Sequence, residues 1–117
     1  MGHIDFDQPD ETRAFPNGRT DIVHEGASTI ARLTLEPGWR WSNDVKPIAG
    51  GDSCQHRHVG YAASGSIRII MEGGAEFVIE PGQTYVIEPG HDAELIGDET
   101  FVGIECATKA AEEYAKK

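Results

Sequence analysis

Short apolar stretches separated by turn residues run along most of the chain. β-Branched and apolar residues dominate Ser28–Leu35, Ser66–Met71 and Ala75–Ile79, and the last two stretches flank Glu72-Gly73-Gly74, a hairpin signal. An apolar residue followed by Glu-Pro-Gly occurs three times, at Leu35–Gly38, Ile79–Gly82 and Ile87–Gly90. Proline fixes φ and glycine accepts a positive φ, which fits a type II turn. We therefore expect antiparallel strands that reverse about every eight to twelve residues.

The rest of the pattern divides the chain into three parts. Residues 1–26 are polar and are interpreted as an N-terminal arm with one or two short strands, and residues 27–108 hold the remaining strand-like stretches. These stretches are Cys54–Ser64, Gln83–Ile87, Ala93–Ile96 and Phe101–Glu105, with a loop expected at Asn43–Gly51. Residues 109–117 contain good helix formers and end in two lysines, which predicts a helical tail. The pattern thus predicts an all-β fold, a closed barrel or double-sheet jelly roll, followed by a short C-terminal helix.

The composition argues against two classes of binding partner. The chain has 117 residues, with 20 acids against 10 bases and a net charge of −10, so we expect neither nucleic acid nor a membrane surface as a partner. Nine acids and no base lie between Ile69 and Thr108, which indicates a solvated surface or a site that favours a cation or a neutral ligand. Two cysteines do not make a disulfide framework, and the first residues lack the pattern of a signal peptide. We therefore expect a cytoplasmic protein with reduced thiols.

Side chains of metal-ligand type cluster in Cys54-Gln-His-Arg-His58. Asp52, Cys54, His56 and His58 alternate along the sequence, so on one continuous strand they would share a face. Thiolate, imidazole and carboxylate groups all bind metals. His91, which follows the third Glu-Pro-Gly turn, is a further candidate. The cluster predicts a site within the β framework.

These features resemble the cupin superfamily, small jelly-roll β-barrels that often hold one divalent metal, and the resemblance covers roughly Ala31 to Glu105. The first cupin motif runs Gly, five residues, His-x-His, three or four residues, Glu, six residues, Gly, and its histidines and glutamate are ligands in metal-binding members. Counted from Gly50, the motif places His56 and His58 in the histidine slots. The glutamate slot then holds an alanine, Ala62 or Ala63.

A second register of the same motif, counted back from Gly65, places His58 in the glutamate slot. The two histidine slots then hold Asp52 and Cys54. We favour this register, because Gly65-Ser-Ile-Arg-Ile matches the strand–turn–strand that follows the motif in cupins. His58 occupies a ligand slot in both registers.

The second cupin motif, Gly, five residues, Pro-x-Gly, two residues, His, three residues, Asn, is altered. Gly82 and Gly90 match its glycines, whereas its Pro, His and Asn slots hold Glu88, Ala93 and Gly97. His91 lies two positions before the histidine slot and has the same parity, so it would still face the barrel interior. The resemblance thus implies a metal site that differs from the usual one.

Three interpretations of the site remain open. The first is a metal site built from His58 and His91 with His56 or Cys54, which suits Zn and, with a carboxylate added from Asp52 or Glu88, suits Fe, Ni or Mn. The second is a metal-free pocket in which His58, Gln55 and Tyr61 hydrogen-bond a small ligand. The third is a structural role without a ligand.

The tryptophans offer a further contact for a ligand. Trp39 or Trp41 could stack on a molecule at the barrel mouth, and we retain Trp41 as a candidate. The expectation from composition alone is nevertheless one buried and one surface tryptophan. Cys54 has no neighbour in sequence that would lower its thiol pKa, so a buried structural cysteine is preferred over a nucleophile.

Taken together, the sequence predicts a cupin-type jelly-roll barrel that binds a small molecule, with a divalent metal held around His58 and His91. The alternatives are a metal-dependent enzyme of dioxygenase or isomerase type, and a metal-free ligand-sensing or structural module. The resemblance also implies a homodimer, because small barrels of this family commonly pair through an edge strand.

Overall fold

The computed structural model describes residues 5–25 and 28–106, which form nine strands and two short helices. The strands are β1 (Glu11–Phe15), β2 (Gly18–Glu25), β3 (Ser28–Leu35), β4 (His58–Ser64), β5 (Ser66–Met71), β6 (Glu76–Ile79), β7 (Thr84–Ile87), β8 (His91–Ile96) and β9 (Phe101–Cys106). The helices are α1 (Trp41–Asp44) and α2 (Lys46–Ala49). They lie between β3 and β4, and the predicted helical tail at 109–117 falls outside the described residues.

The strands form two antiparallel sheets that pack around one core. The larger sheet has the order β1-β2-β3-β9-β4-β7, and the smaller has the order β6-β5-β8. The predicted hairpin across Gly73-Gly74 is confirmed, since Ile67 of β5 pairs with Ile79 of β6. The all-β jelly-roll prediction is therefore confirmed for the part of the chain that the structure describes.

The Glu-Pro-Gly segments make turns as predicted. Their glycines, Gly38, Gly82 and Gly90, have φ of 95°, 90° and 91°. In the first two turns the backbone N–H after the glycine donates to the glutamate carbonyl: Trp39 to Glu36 at 3.1 Å, and Gln83 to Glu80 at 3.2 Å. The third turn differs, because the backbone N–H of His91 donates to the carbonyl of Cys54 instead, at 3.2 Å.

Alternate residues of each strand face the interior. On β3 and β9 these include Leu33, Leu35 and Phe101, and on β5 they include Ile67 and Ile69. Both tryptophans that precede or begin α1 are buried, with 2% of Trp39 and 3% of Trp41 exposed. The expectation of one surface tryptophan is therefore wrong, because the chain after the first turn folds inward against β8.

The segment between β3 and β4 departs most from the sequence-based prediction. It was expected to be a loop at Asn43–Gly51 and a strand from Cys54, but it forms α1 and α2, and β4 begins only at His58. Pro47 lies in the first turn of α2, where a missing backbone N–H is tolerated. Gly50 and Gly51 both have φ of 82°, which ends the helix and prevents a continuous strand. The shared face expected for Asp52, Cys54, His56 and His58 is therefore wrong.

The N-terminal region contributes regular structure to the larger sheet. β1 pairs with β2, and β2 pairs with β3 over its whole length. The boundaries predicted at residues 26 and 108 remain predictions. No helix within residues 5–25 and 28–106 is long and apolar enough to cross a membrane.

Candidate metal centre

Three buried ligand-type side chains meet at one end of the barrel: Cys54, His58 and His91. His58 is the first residue of β4 and faces inward, and His91 is the first residue of β8. Cys54 lies in the irregular segment before β4, where two backbone hydrogen bonds of 2.7 Å fix it: its N–H donates to the His91 carbonyl, and its carbonyl accepts from Gly90. The site therefore joins both sheets and the segment between β3 and β4.

The three ligand atoms lie within 4.8 Å of one another. Cys54 Sγ and His58 Nε2 are 3.6 Å apart, and the imidazole rings of His58 and His91 have centroids 5.3 Å apart at 69° to each other. In a tetrahedral zinc site with Zn–S of about 2.3 Å and Zn–N of about 2.0–2.1 Å, the distance between the sulfur and nitrogen ligands is about 3.6 Å. The Cys54–His58 spacing matches that distance.

Each imidazole is oriented by a hydrogen bond from its other nitrogen. His91 Nδ1 lies 2.8 Å from the carbonyl oxygen of Glu88, which can only accept, so Nδ1 carries a proton and Nε2 is left for the Cys54 side of the site. His58 Nδ1 lies 2.9 Å from Oε1 of Glu105 and likewise donates. Metal-binding histidines are typically held by such bonds to a carbonyl or a carboxylate. Both residues thus have the orientation of metal ligands.

Glu105 supports His58 from the barrel interior. It lies on β9 and is 4% exposed, and its Oε2 accepts a hydrogen bond of 2.8 Å from the Tyr85 hydroxyl on β7. Gly60 and Gly103 leave room for this hydroxyl, since a Cβ at either position would lie 2.7 or 2.5 Å from the tyrosine oxygen. Of the nine acids between Ile69 and Thr108, Glu105 is the one that is buried.

Charge coupling shifts the pKa of three groups in the site. Burial alone would raise the pKa of the Cys54 thiol, but hydrogen bonds with His58 and His91 outweigh it and lower the pKa to about 6. Burial lowers the pKa of His58, but the charge of Glu105 outweighs it and raises the pKa above its ordinary value. The pKa of Glu105 is lowered in turn, because the His58 charge and two hydrogen bonds outweigh its burial. The sequence offered no reason for a low thiol pKa; the fold supplies one.

A cavity of about 20 Å³ adjoins the two imidazoles. Its polar wall consists of His58, His91, Glu105 and Tyr85. The rest of the wall is apolar: Leu33, Trp39, Trp41, Ile67, Ile69, Ile79, Ile87, Ala93 and Phe101. Polar groups of the site and apolar side chains of the core thus line the same cavity.

Of the other candidate residues, some line the cavity and some lie on the surface. Trp41 lines the cavity. His56 is partly buried but outside the group of three ligand atoms. Gln55 is exposed and donates to Ser53 Oγ at 2.9 Å, and Tyr61 is 46% exposed on the outer face of β4. The metal and cavity hypotheses therefore share His58, whereas Gln55 and Tyr61 lie elsewhere.

Glu105 and Tyr85 were not identified as site residues from the sequence. A signal for Glu105 exists: it shares parity with Phe101 and Gly103 in an apolar strand, so an acid falls on the core-facing side. Glu88 was considered for its carboxylate, which instead pairs with Arg57 on the surface at 2.6 Å. Its backbone carbonyl is the part that contacts His91.

Comparison with solved structures identifies the fold. No family model and no curated protein matches the chain. An uncharacterized protein with a double-stranded β-helix domain from Klebsiella pneumoniae matches its structure with a TM-score of 0.60 at 17% identity, covering 91% of this chain and 83% of that one. A cupin 2 conserved barrel domain protein from Salinispora arenicola matches with a TM-score of 0.59 at 16% identity, covering 91% and 85%.

A larger enzyme contains the same architecture as a part. The S161A mutant of Bacillus subtilis oxalate decarboxylase matches with a TM-score of 0.61 at 14% identity, covering 90% of this chain but 29% of that one. At such low identities the likeness concerns the fold. Two antiparallel sheets closed around one core, matched over nine-tenths of the chain, identify this protein as having the cupin, or double-stranded β-helix, fold.

Proposed function

We propose that this protein is a metal-binding cupin-fold protein in which Cys54, His58 and His91 hold one divalent ion. The observation that carries the proposal is the paired orientation of the two imidazoles. Each histidine uses Nδ1 to donate outward, to Glu88 or Glu105, and keeps Nε2 for a ligand shared with the thiol. Both second nitrogens therefore converge on Cys54, where a divalent ion would replace the protons that the imidazoles share with the thiol.

Charge balance supports a divalent ion. A thiolate at Cys54 and a carboxylate at Glu105 place two negative charges in a buried region, and a divalent cation bound to two neutral imidazoles would neutralise them. The donor set fits the ion as well. One thiolate and two imidazoles suit zinc, whereas Fe, Ni or Mn would be favoured by an added carboxylate. Asp52 and Glu88, considered for that part, are exposed.

The ligand set leaves a coordination position for a small molecule. Three protein ligands around zinc are typical of sites that bind water or substrate in the fourth position. The cavity beside His58 and His91 supports placing that position inside the barrel. A metal-dependent enzyme of dioxygenase or isomerase type would bind its substrate at the same position. A binding protein would need only to exchange one small ligand for another there.

Metal analysis of the protein tests the proposal. Protein purified without an affinity tag or chelator should contain about one equivalent of metal, or take up one equivalent of zinc or cobalt. Cys54→Ser, His58→Ala and His91→Ala should each lower that affinity by at least about tenfold, because a ligand is lost. His56→Ala is the matched control, since His56 lies outside the group of three. Metal affinity in the three ligand variants equal to that of the unchanged protein would contradict the proposal.

A second candidate follows from the same contacts. The thiol of Cys54 contacts the imidazole of His58, and the second nitrogen of that imidazole contacts the carboxylate of Glu105. An arrangement of this kind activates nucleophiles. Mass spectrometry after limited treatment of metal-free protein with a small alkylating agent separates the two functions. Modification of Cys54 that zinc blocks supports the metal centre, and modification that zinc leaves unchanged supports the nucleophile. Cys106, which is exposed, is the internal control.

A further inference from the structure

The free space beside the metal ligands limits what can bind there. The cavity has a volume of about 20 Å³. A volume of about 10–15 Å³ is the space that one water molecule occupies in a cavity. The space is therefore small enough to favour a ligand of about one to three heavy atoms, and an amino acid, a sugar ring or an aromatic acid would have to displace the wall.

The wall is built from side chains that cannot move aside easily. Ile69 is 0% and Phe101 is 1% exposed, and both are packed within the main core. Interiors of this kind are close-packed, so enlarging a cavity requires neighbouring side chains to leave their rotamers. The size limit is thus a property of the core and not of a surface loop.

Trp39, one of the residues that line the cavity, has a polar group without a partner. Nε1 of Trp39 is buried, and no residue within the described ranges accepts its N–H. A buried donor without a partner destabilises the fold. A ligand that carries an acceptor could remove that cost, whereas an apolar ligand could not.

Resting on the proposed metal centre, we propose that its open position takes one exogenous ligand of about one to three heavy atoms with a hydrogen-bond acceptor. Water, hydroxide and small anions belong to this class. Trp39 is the proposed donor to that ligand, and Ile69 and Phe101 set its maximum size. The barrel then excludes larger organic molecules from the metal.

A matched pair of carboxylates tests the size limit. Formate and benzoate share the same acceptor group but differ in bulk. In the cobalt-loaded protein, formate should change the visible spectrum of the metal in a saturable manner, and benzoate at the same concentrations should leave it unchanged. Saturable spectral changes with benzoate, or none with formate, would overturn the proposal.

Variants of Ile69 test whether the cavity wall sets the maximum size of the ligand. Ile69→Ala should allow benzoate to change the cobalt spectrum, and Ile22→Ala is the matched control, since Ile22 is equally buried but belongs to a separate cluster. Ile69→Val is the milder alternative if the alanine variant does not fold, and it should raise the affinity for acetate, which is one methyl larger than formate. An unchanged size preference in the variant that folds would contradict the role of Ile69.

Trp39→Phe tests the donor. The ring remains and the N–H is lost, so the Kd for formate should rise about tenfold. An unchanged Kd would overturn the part assigned to Trp39. The metal centre itself is judged separately: a protein that takes up no cobalt overturns the proposed function and this inference together, whereas one that binds cobalt and benzoate overturns this inference alone.

Discussion

Glu105 is an ionisable side chain in an otherwise apolar part of the barrel, held by His58 on one oxygen and Tyr85 on the other. Such a residue is tolerated inside a core because its charge is paired and its oxygens are satisfied. It acts through His58 and is therefore a positioning residue. Its charge fixes one proton on Nδ1 and raises the pKa of His58, and it leaves Nε2 as the nitrogen that would bind a metal in place of its proton.

Changing Glu105 to Gln tests this role. The amide keeps the size of the side chain but loses the charge that holds the His58 proton on Nδ1. We expect zinc affinity to fall about ten- to a hundredfold, as for other residues that orient a metal-binding histidine. Competition with a coloured chelator would measure it, and Glu99→Gln, on an exposed residue, is the control. Equal affinities in the two variants would show that Glu105 has no part in orienting His58.

The sequence identified the individual ligands better than their surroundings. His58 and His91 were predicted from motif slots and parity, which depend on local spacing. Cys54 was a candidate by type, but its low pKa arises from imidazoles four and 37 positions away. Tyr85 reaches Glu105 only because Gly60 and Gly103 lack side chains on neighbouring strands. Contacts across strands of this kind are not visible in the order of residues.

At the scale of elements, the space around Tyr85 is set by glycines in regular strands. Gly103 on β9 is a position where added volume would meet both Tyr85 and Phe101, at 2.5 and 2.9 Å from a Cβ. Glycine weakens a strand, so its presence within β9 indicates a close approach of other groups. The approach here is that of the tyrosine hydroxyl to Glu105.

Gly103→Ala should displace Tyr85 and loosen Glu105. We expect the free energy of unfolding to fall by about 1–3 kcal/mol, the usual range for overpacking, with a weaker zinc affinity. Urea denaturation and a zinc titration would measure both. Gly73→Ala in the β5–β6 hairpin is the control, because a Cβ there meets nothing within 4 Å. A Gly103→Ala variant as stable as the control would contradict this account.

A polar ladder crosses the outer face of the first three strands. Asp21 on β2 lies opposite Thr12 on β1 and Arg32 on β3, accepting hydrogen bonds of 2.9 and 3.0 Å. Burial would raise the pKa of Asp21, but the bonds from Thr12, Arg32 and Arg19 outweigh it and lower the pKa below its usual range. The carboxylate form is thus favoured by folding.

This shift predicts how stability depends on pH. Because the folded pKa lies below the unfolded value of about 3.9, the stabilisation is complete above that value and is lost as the pH falls through the folded pKa. The free energy of unfolding should therefore decline below about pH 4. Asp21→Asn should reduce both the stability at neutral pH and this decline, whereas exposed Asp98→Asn should alter neither. Identical pH profiles for the two variants would contradict the prediction.

Elements with local signals were predictable, and those that depend on distant partners were not. The turns follow from Pro and Gly within four residues, and the hairpin follows from Gly73-Gly74. The segment from Cys54 to Arg57 is strand-like by composition. Its single bridge, Cys54 to His91, joins residues 37 positions apart and follows two glycines with positive φ. Tertiary contacts therefore decided its conformation.

At the scale of the whole molecule, the outer face of β4, β7 and β9 carries an apolar groove. Tyr61 and Val86 are 46% and 50% exposed there, beside Val59, Ile104 and Cys106. Adjacent exposed apolar residues on an edge strand favour association. The homodimer expected from the sequence would cover this face.

Light scattering tests the assembly. The protein should have twice the monomer mass of 12.7 kDa at micromolar concentration. Val86→Lys should give a monomer, since a buried charge in the interface would lack a partner. Ile48→Lys on α2, an exposed residue far from the groove in sequence, should remain dimeric. A monomer in the unchanged protein would show the prediction to be wrong.

The site has a mechanical consequence that follows from where its members are attached. His58 belongs to the six-stranded sheet and His91 to the three-stranded sheet, and the named strands of the two sheets share no ladder. An ion bound to both would add a crosslink between layers that are otherwise held by side-chain packing, by the short connections β4–β5 and β7–β8, and by the backbone bonds between Cys54 and His91. Since such a bond forms only once both layers are in place, it would slow unfolding far more than it would speed refolding. Removing the ion would therefore shorten the lifetime of the native barrel while leaving its refolding rate nearly the same.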